Sequence, residues 1–391
     1  MRYYLFVIAM VFAIFFNTTL KLLIGLNIST VLLAYLPVVV YFVFISFTQK
    51  IHYNKIAVYL LVLAVIVLLF KVSLDQSIFI EGSLNKILLL IIPMITYICL
   101  DNMTKQESYT LRCLIILFFI LFCTIAITEK VLNRHLLPVE GDTELWMNAG
   151  FFRSVSLLWH PLMGGFFVAF FIAFVAVADF KKKYFQILLF FLGFISLLCF
   201  DARSATIVIS VFLLPYFLLK LYKRAGKRRW MIVLSAICIL SGLLYLITET
   251  SLGSGRLLNI ELMDGSGQTR LEVFNFYKYY KHKEDFLWGH PDNYQYFVDV
   301  GLGVENGVIK LIVDLGIVFA PIILLLLFLL QYKSLSIYSK SDKWLLLFIF
   351  FGIGVTNPNL GMFTHWNLWV ITYYSFRPEL PLLKTDKSIS S

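Results

Sequence analysis

Long apolar stretches alternate with short polar or basic breaks along nearly the whole chain. The stretches are about 14 to 27 residues long, close to the roughly 20 that a helix needs to cross a bilayer, and are not scattered at core-facing spacing. They predict twelve membrane-spanning helices, at approximately residues 3–16, 28–47, 56–72, 84–100, 111–128, 160–179, 184–200, 204–222, 230–248, 304–332, 344–356 and 362–376. The first and the last two are short or broken by Asn-Pro, so 10–12 spans fit the pattern. The expected fold is an all-α, polytopic transmembrane helix bundle.

The polar breaks give orientation. Arg2, Lys50, Lys55, Lys105, Arg112, Lys181 to Lys183, the cluster from Lys220 to Arg229, Lys333, Lys340, Lys343, Arg377, Lys384 and Lys387 fall on one side of this pattern. Short basic loops stay cytoplasmic, so both termini are expected inside. Residues 129–159 and 249–303 then form two long outer-face loops. They separate N-terminal helices (1–128), central helices (160–248), C-terminal helices (304–376) and a cytoplasmic tail (377–391). Within the second loop, RLEVFNFYKYYKHK from Arg270 to Lys283 interleaves aromatics with charges and predicts an amphipathic helix on the outer membrane surface. The apolar run to Phe16 is followed by Asn17-Thr18-Thr19-Leu20, without a small-residue cleavage pattern, and reads as an uncleaved first span.

Composition sharpens this. The chain is 391 residues long, 60% hydrophobic and only 14% charged, with a mean hydropathy of +0.86, which excludes a water-soluble protein. Aromatics at 17% suit lipid-facing surfaces and interfacial belts. The net charge of +10 lies between apolar blocks, so it reports orientation rather than nucleic-acid binding. Cys99, Cys113, Cys123, Cys199 and Cys238 show no metal-ligand spacing and are expected to be small buried hydrophobes. No internal repeat and no matched pair of Gly/Pro-broken spans is visible, which disfavours an inverted-repeat transporter.

Charges at the outer edge of the spans carry the candidate chemistry, because a charge beside hydrocarbon is costly and tends to be kept for function. Arg153 lies in GFFRSVSLLWHPLMGG with His160 seven residues on. Arg203, in CFDARSAT, sits at a tight turn beside Asp201, its alternative local partner. Arg270 opens the predicted surface helix, where the dipole disfavours a cation and an external anion explains it. Glu305 and Asn306 begin the span VENGVIKLIVDLG, in which Lys310 and Asp314, spaced i,i+4, are expected to neutralise each other. His160 and His290 are candidate sugar contacts, with ordinary interfacial polarity as the plainer role.

Three guanidinium forks and one carboxylate at an outer cleft suit glycosyl transfer from a polyprenyl-pyrophosphate sugar. The forks bind pyrophosphate and stabilise it as it leaves, and the carboxylate takes a proton from a sugar hydroxyl. This scheme requires no metal or other cofactor, and no DxD-type motif stands on the predicted outer face.

These residues resemble the O-antigen ligase and polymerase family of bacterial envelope glycosyltransferases, most clearly over about residues 185–330. DARSATIVIS at 201–210 is similar to the family's SRGA-type turn, with Arg203 as its arginine. GQTRLEVFNFYKYYKHKEDFLWGH at 267–290 is similar to the segment in which an arginine, here Arg270, opens a helix that closes on a Gly turn, here FLWG. VENGVIKLIVDLG at 304–316 looks like the family's HN-x9-G element, with Asn306 and Gly316 at the matching spacing and Glu305 replacing the ligase histidine. That Glu-Asn form looks like the repeat-unit polymerases.

The resemblance implies an enzyme of the bacterial cytoplasmic membrane. It would take undecaprenyl-pyrophosphate-linked oligosaccharides as donor and acceptor, without a metal and with inversion, in contact with membrane lipids and alongside a chain-length regulator. It places Arg203 and Arg270 as donor-binding residues and Glu305 with Asn306 as the acceptor-activating pair, and the outer-edge position of Arg153 makes it an expected assistant in donor binding. A ligase or protein O-oligosaccharyltransferase of the same superfamily is the first alternative, and a lipid-linked oligosaccharide transporter the second.

Overall fold

The computed structural model describes residues 1–16, 23–25, 30–74, 83–138, 152–158, 160–224, 226, 230, 241–242, 245, 273–279, 283–289, 306–356 and 363–377. Among them every regular element is helical. In chain order these are α1 (Arg2–Phe15), α2 (Thr30–Thr48), α3 (Lys55–Leu74), α4 (Ser83–Asp101), α5 (Lys105–Leu132), α6 (Pro161–Val177) and α7 (Lys183–Phe200). A continuous helix, α8, follows from Arg203–Val208, a π-helical turn Ile209–Leu213, and Leu214–Arg224. The short α9 (Lys283–Trp288) precedes α10 (Gly307–Ser334), α11 (Lys340–Thr356) and α12 (Phe363–Phe376).

Eleven of the twelve predicted segments are therefore helical among the described residues. The ninth, 230–248, lies largely outside them. Lys105–Leu132, Lys183–Phe200, Arg203–Lys223 and Gly307–Ile337 are long and apolar enough to cross a membrane, accompanied by five shorter apolar helices. Helix is the only open-ended structure that satisfies its own backbone in apolar surroundings, which is why near-continuous Leu, Ile, Val and Phe runs fold this way. The predicted surface helix departs from expectation. Its described part, Val273–Tyr279, is 3₁₀-helical, and α-helix appears only further on, at α9. Five of its seven residues are Val, Phe or Tyr, which lose side-chain freedom in an α-helix.

Polar side chains tie helix ends together where the bundle starts. Arg2 donates to the Glu107 carboxylate at 3.0 Å, to the Asn102 carbonyl at 2.7 Å and to Gln49. Glu107 also accepts from the Tyr41 hydroxyl and closes a capping box with Thr104 at the start of α5. At the same end, Asp101 accepts from Tyr374 and Arg377, and Asp342 accepts from Lys220 and Tyr216. The starts of α6, α8, α10 and α12 lie at the opposite end, with the ends of α5 and α7.

Between the two ends the core is aromatic. Phe119 and Phe171 stack at 3.8 Å, and Phe122 bridges to Phe167 and Phe200. Cys99, Cys123 and Cys199 are buried as expected. Cys113 instead is exposed, on the outward face of α5, and Cys238 lies outside the described residues.

Removing Glu107 would take the carboxylate from the Arg2 guanidinium, the Tyr41 hydroxyl and the Thr104 N–H together. Glu107→Ala is expected to cost about 3 kcal/mol, measured as a lower unfolding midpoint of the detergent-solubilised protein.

Candidate functional site

The turn between α7 and α8 is shaped by two requirements: ending one apolar helix and starting the next within two residues. Asp201 takes the left-handed conformation (φ 49°, ψ 42°) that terminates α7, and its N–H donates to the Leu198 carbonyl at 3.1 Å. Arg203 is the first residue of α8 and is half-buried. Close packing fixes this turn against α6, because a Cβ on Gly165 would collide with the Ala202 methyl and one on Gly164 with the Phe200 ring.

Arg153 is brought to the same turn. It is 7% exposed, and its guanidinium donates to the carbonyls of Phe200 (3.3 Å) and Asp201 (3.4 Å). A cation on the last carbonyls of α7 satisfies orphan acceptors and complements the negative end of the helix dipole. These bonds use Nε and Nη2.

What holds Arg153 there is a pair that sequence reasoning missed. Glu129, near the end of α5, is fully buried, and its carboxylate accepts from the backbone N–H groups of Val155 and Ser156, both at 3.0 Å, and Leu136 at 3.2 Å. Its neighbour Lys130 donates to the Phe152 carbonyl at 2.6 Å. Ser154 and Ser156 then donate to carbonyls of α5 (Ala126 and Phe122), and the Ser154 N–H reaches the Cys199 carbonyl. Segment 152–156 is thereby laid across the ends of α5 and α7. The signal was present in ITEKVLNRH, an acid and a base adjoining at the end of an apolar block.

His135, just past α5, packs on the Phe152 ring at 4.8 Å. Burial lowers its pKa, which favours the neutral ring. His160 is the N-cap of α6, followed by Pro161 at the first helical position. Its Nδ1 accepts from the Leu162 N–H at 3.2 Å, so that nitrogen carries no proton in this arrangement, and the ring lies within electrostatic reach of Arg153.

Asn306 is the N-cap of α10, its side-chain oxygen accepting from Val308 (3.0 Å) and Ile309 (3.1 Å). Ten residues later the helix is broken at Gly316, whose φ of 80° and ψ of 161° are open to glycine and strained for other residues. Gly289, at the end of the FLWG turn, also has positive φ (73°) and packs backbone to backbone against this break. A Cβ on Gly289 would lie 2.7 Å from the Leu315 carbonyl carbon, and one on Gly316 would collide with the Leu287 carbonyl. Trp288 anchors the turn, its ring 4.8 Å from Phe70 of α3 and 6.0 Å from Phe319 of α10. Lys310 and Asp314 are both buried on the first half of α10.

Among the predicted site residues, Arg153, His160 and Arg203 thus gather around one turn, and Asn306 occupies the start of α10. Arg270, His290 and Glu305 lie outside the described residues. No cluster of His, Cys, Asp and Glu suited to a metal occurs among the described residues. Two guanidinium groups at one turn supply planar, permanently charged donors, suited chemically to phosphate oxygens. In comparisons with known proteins, no family model and no curated protein sequence matches the chain.

Gly316→Ala is expected to force the FLWG turn away from α10. The measured result would be faster proteolysis within residues 249–303, together with a lower unfolding midpoint, relative to an Ala substitution at the openly packed Gly352.

Proposed function

We propose that the chain is a polysaccharide repeat-unit polymerase of the bacterial cytoplasmic membrane, working on O-antigen, capsule or exopolysaccharide at the outer face. In this reading the bundle crosses the membrane about twelve times with both termini inside. The Arg2 end is cytoplasmic, and the end bearing Arg153, Arg203 and Asn306 is external.

One observation carries the proposal. The two glycines that the resemblance marks in separate segments, Gly289 of the FLWG turn and Gly316 of the Asn306-x9-Gly element, are in backbone contact. Segments that make up one catalytic element are expected to touch, whereas chance similarities have no reason to. The gathering of Arg153 and Arg203 at a single turn adds support.

In the proposed reaction Glu305 takes the proton of the acceptor sugar hydroxyl, and that oxygen attacks the anomeric carbon of the donor glycan. The bond from that carbon to the pyrophosphate oxygen breaks with inversion, and the undecaprenyl pyrophosphate leaves as an anion. Arg203 and Arg270 hold the pyrophosphate and stabilise its growing charge. Arg153 keeps the Arg203 turn in place and adds its positive charge beside the same anion. Asn306 orients the acceptor, and His160 and His290 line the sugars.

The test uses the purified protein in liposomes with a polyprenyl-pyrophosphate-linked oligosaccharide. Glu305→Gln is expected to bind donor normally and to lose 10²–10⁴-fold in rate; wild-type turnover would remove the base assignment. Arg203→Lys keeps the charge and loses the fork, and is expected to weaken donor binding at least tenfold. Products that lengthen on the lipid carrier indicate a polymerase, and transfer to lipid A core or protein indicates a ligase.

A further inference from the structure

The Arg2 end of the bundle carries a basic surface that the reaction above does not use. Lys220 of α8 is its hub. Its ammonium donates to the Val177 carbonyl at the end of α6 (2.9 Å) and to the Asp342 carboxylate at the start of α11 (3.2 Å). Asp342 also accepts from Tyr216 of α8 and, at 2.7 Å, from Ser339. These bonds draw together the end of α8, the α6–α7 connection and the α10–α11 connection.

All three are basic. Lys181 and Lys182 are exposed between α6 and α7, Lys223 is exposed near the end of α8, and Lys340 is exposed where α11 opens. Among the described residues of these connections the acids are Asp179 and Asp342, and both are engaged, Asp179 with Lys183 at 3.8 Å and Asp342 with Lys220. The bases outnumber the acids, so the surface keeps a net positive charge.

An apolar face adjoins the charges. α11 packs its inner side on α6 through Phe350, whose ring lies 5.1 Å from Phe166 and 5.9 Å from Phe170. Its outer side presents Trp344 and Phe348, one turn apart and 47% and 45% exposed. α8 flanks that side where Phe212 meets Phe348 at 4.9 Å, and α10 flanks it where Tyr332 meets Trp344 at 5.7 Å. The Lys343 ammonium stands 3.4 Å from the centre of the Tyr332 ring, which ties a cation to the aromatic pair. Phe212 lies eight residues before Lys220, about 12 Å along α8, so the apolar contact is deeper in the bundle than the Lys220–Asp342 bridge.

Exposed Trp and Tyr beside apolar residues mark the level where hydrocarbon meets headgroups in a bilayer. Basic groups clustered between helices at that level suit a lipid whose phosphate carries an uncompensated negative charge. A zwitterionic lipid offsets its phosphate with its own ammonium and gains less from the same surface.

We propose that the α8–α11 face binds an anionic phospholipid of the phosphatidylglycerol type. Lys223, Lys340 and Lys343 hold its headgroup beside the Lys220–Asp342 bridge, and its acyl chains lie over Phe212, Trp344 and Phe348. The site is at the end of the bundle opposite Arg203, and the inference stands independently of the glycosyl-transfer reading.

Native mass spectrometry of the detergent-solubilised protein, titrated with dioleoylphosphatidylglycerol or dioleoylphosphatidylcholine, tests it. The wild type is expected to bind the anionic lipid more tightly. The double variant Lys340→Gln/Lys343→Gln is expected to weaken that binding at least tenfold and to leave phosphatidylcholine binding unchanged. Lys50→Gln/Lys55→Gln removes the same charge from exposed positions at the same end, beside α2 and α3, and is expected to leave both affinities unchanged. Equal affinity of the wild type for the two lipids, or equal losses in the two double variants, would overturn the proposal, because the surface would then attract lipid only diffusely. Trp344 gives a second reading that changes no charge. In nanodiscs, the emission lost in Trp344→Phe is expected to be quenched more by brominated phosphatidylglycerol than by brominated phosphatidylcholine at the same mole fraction. Equal quenching by the two would also overturn it.

Discussion

A helix embedded in apolar surroundings satisfies its middle and orphans its ends, and that constraint organises the Arg153 end of this bundle. The last carbonyls of α7 belong to buried residues, and Arg153 supplies donors to two of them. The N–H groups of the connecting segment have the complementary problem, and Glu129 supplies the acceptor. Each charged group costs several kcal/mol to desolvate, which is recovered only when its hydrogen bonds are well made. The result is a connection whose backbone is fixed by charges rather than by apolar packing. A fixed backbone here fixes where Arg203 enters α8.

The second organising feature is the break in α10. A positive φ at Gly316 interrupts the helix about 14 Å from its capped start, and interruption frees backbone groups that must find partners or protection. The FLWG turn covers that point closely enough that neither Gly289 nor Gly316 tolerates a side chain. Trp288, wedged beside Phe70 and Phe319, makes the docking apolar as well as steric. A segment far from α10's start in sequence is thereby held to the same helix, and the position of one constrains the other.

The helices were legible in the sequence because their signal is length and hydropathy, which α1 to α8 and α10 to α12 carry without interruption. Arg203 was legible for a related reason, since a charge in a tight turn between two apolar blocks stands out. Glu129 and Lys130 show locally only as an acid and a base adjoining at the end of an apolar block, since their role depends on segment 152–156 folding back more than twenty residues later. Within the expected Arg270–Lys283 helix, Val273–Tyr279 is 3₁₀-helical, in keeping with the poor α-helix propensity of a Val, Phe and Tyr run.

The cap at the start of α10 also limits the chemistry that Asn306 can perform. Its side-chain oxygen has two lone pairs, and the N–H groups of Val308 and Ile309 occupy both. What remains is the amide NH₂, which donates and does not accept. In the proposed reaction Asn306 therefore addresses the oxygen of the acceptor hydroxyl and leaves its proton for Glu305, the preceding residue in the chain. An aspartate at 306 would preserve the cap, since a carboxylate accepts the same two N–H bonds, but would present an acceptor where the substrate oxygen needs a donor. Cap stability and acceptor orientation are thus separable at one position, because the two halves of one amide serve different partners.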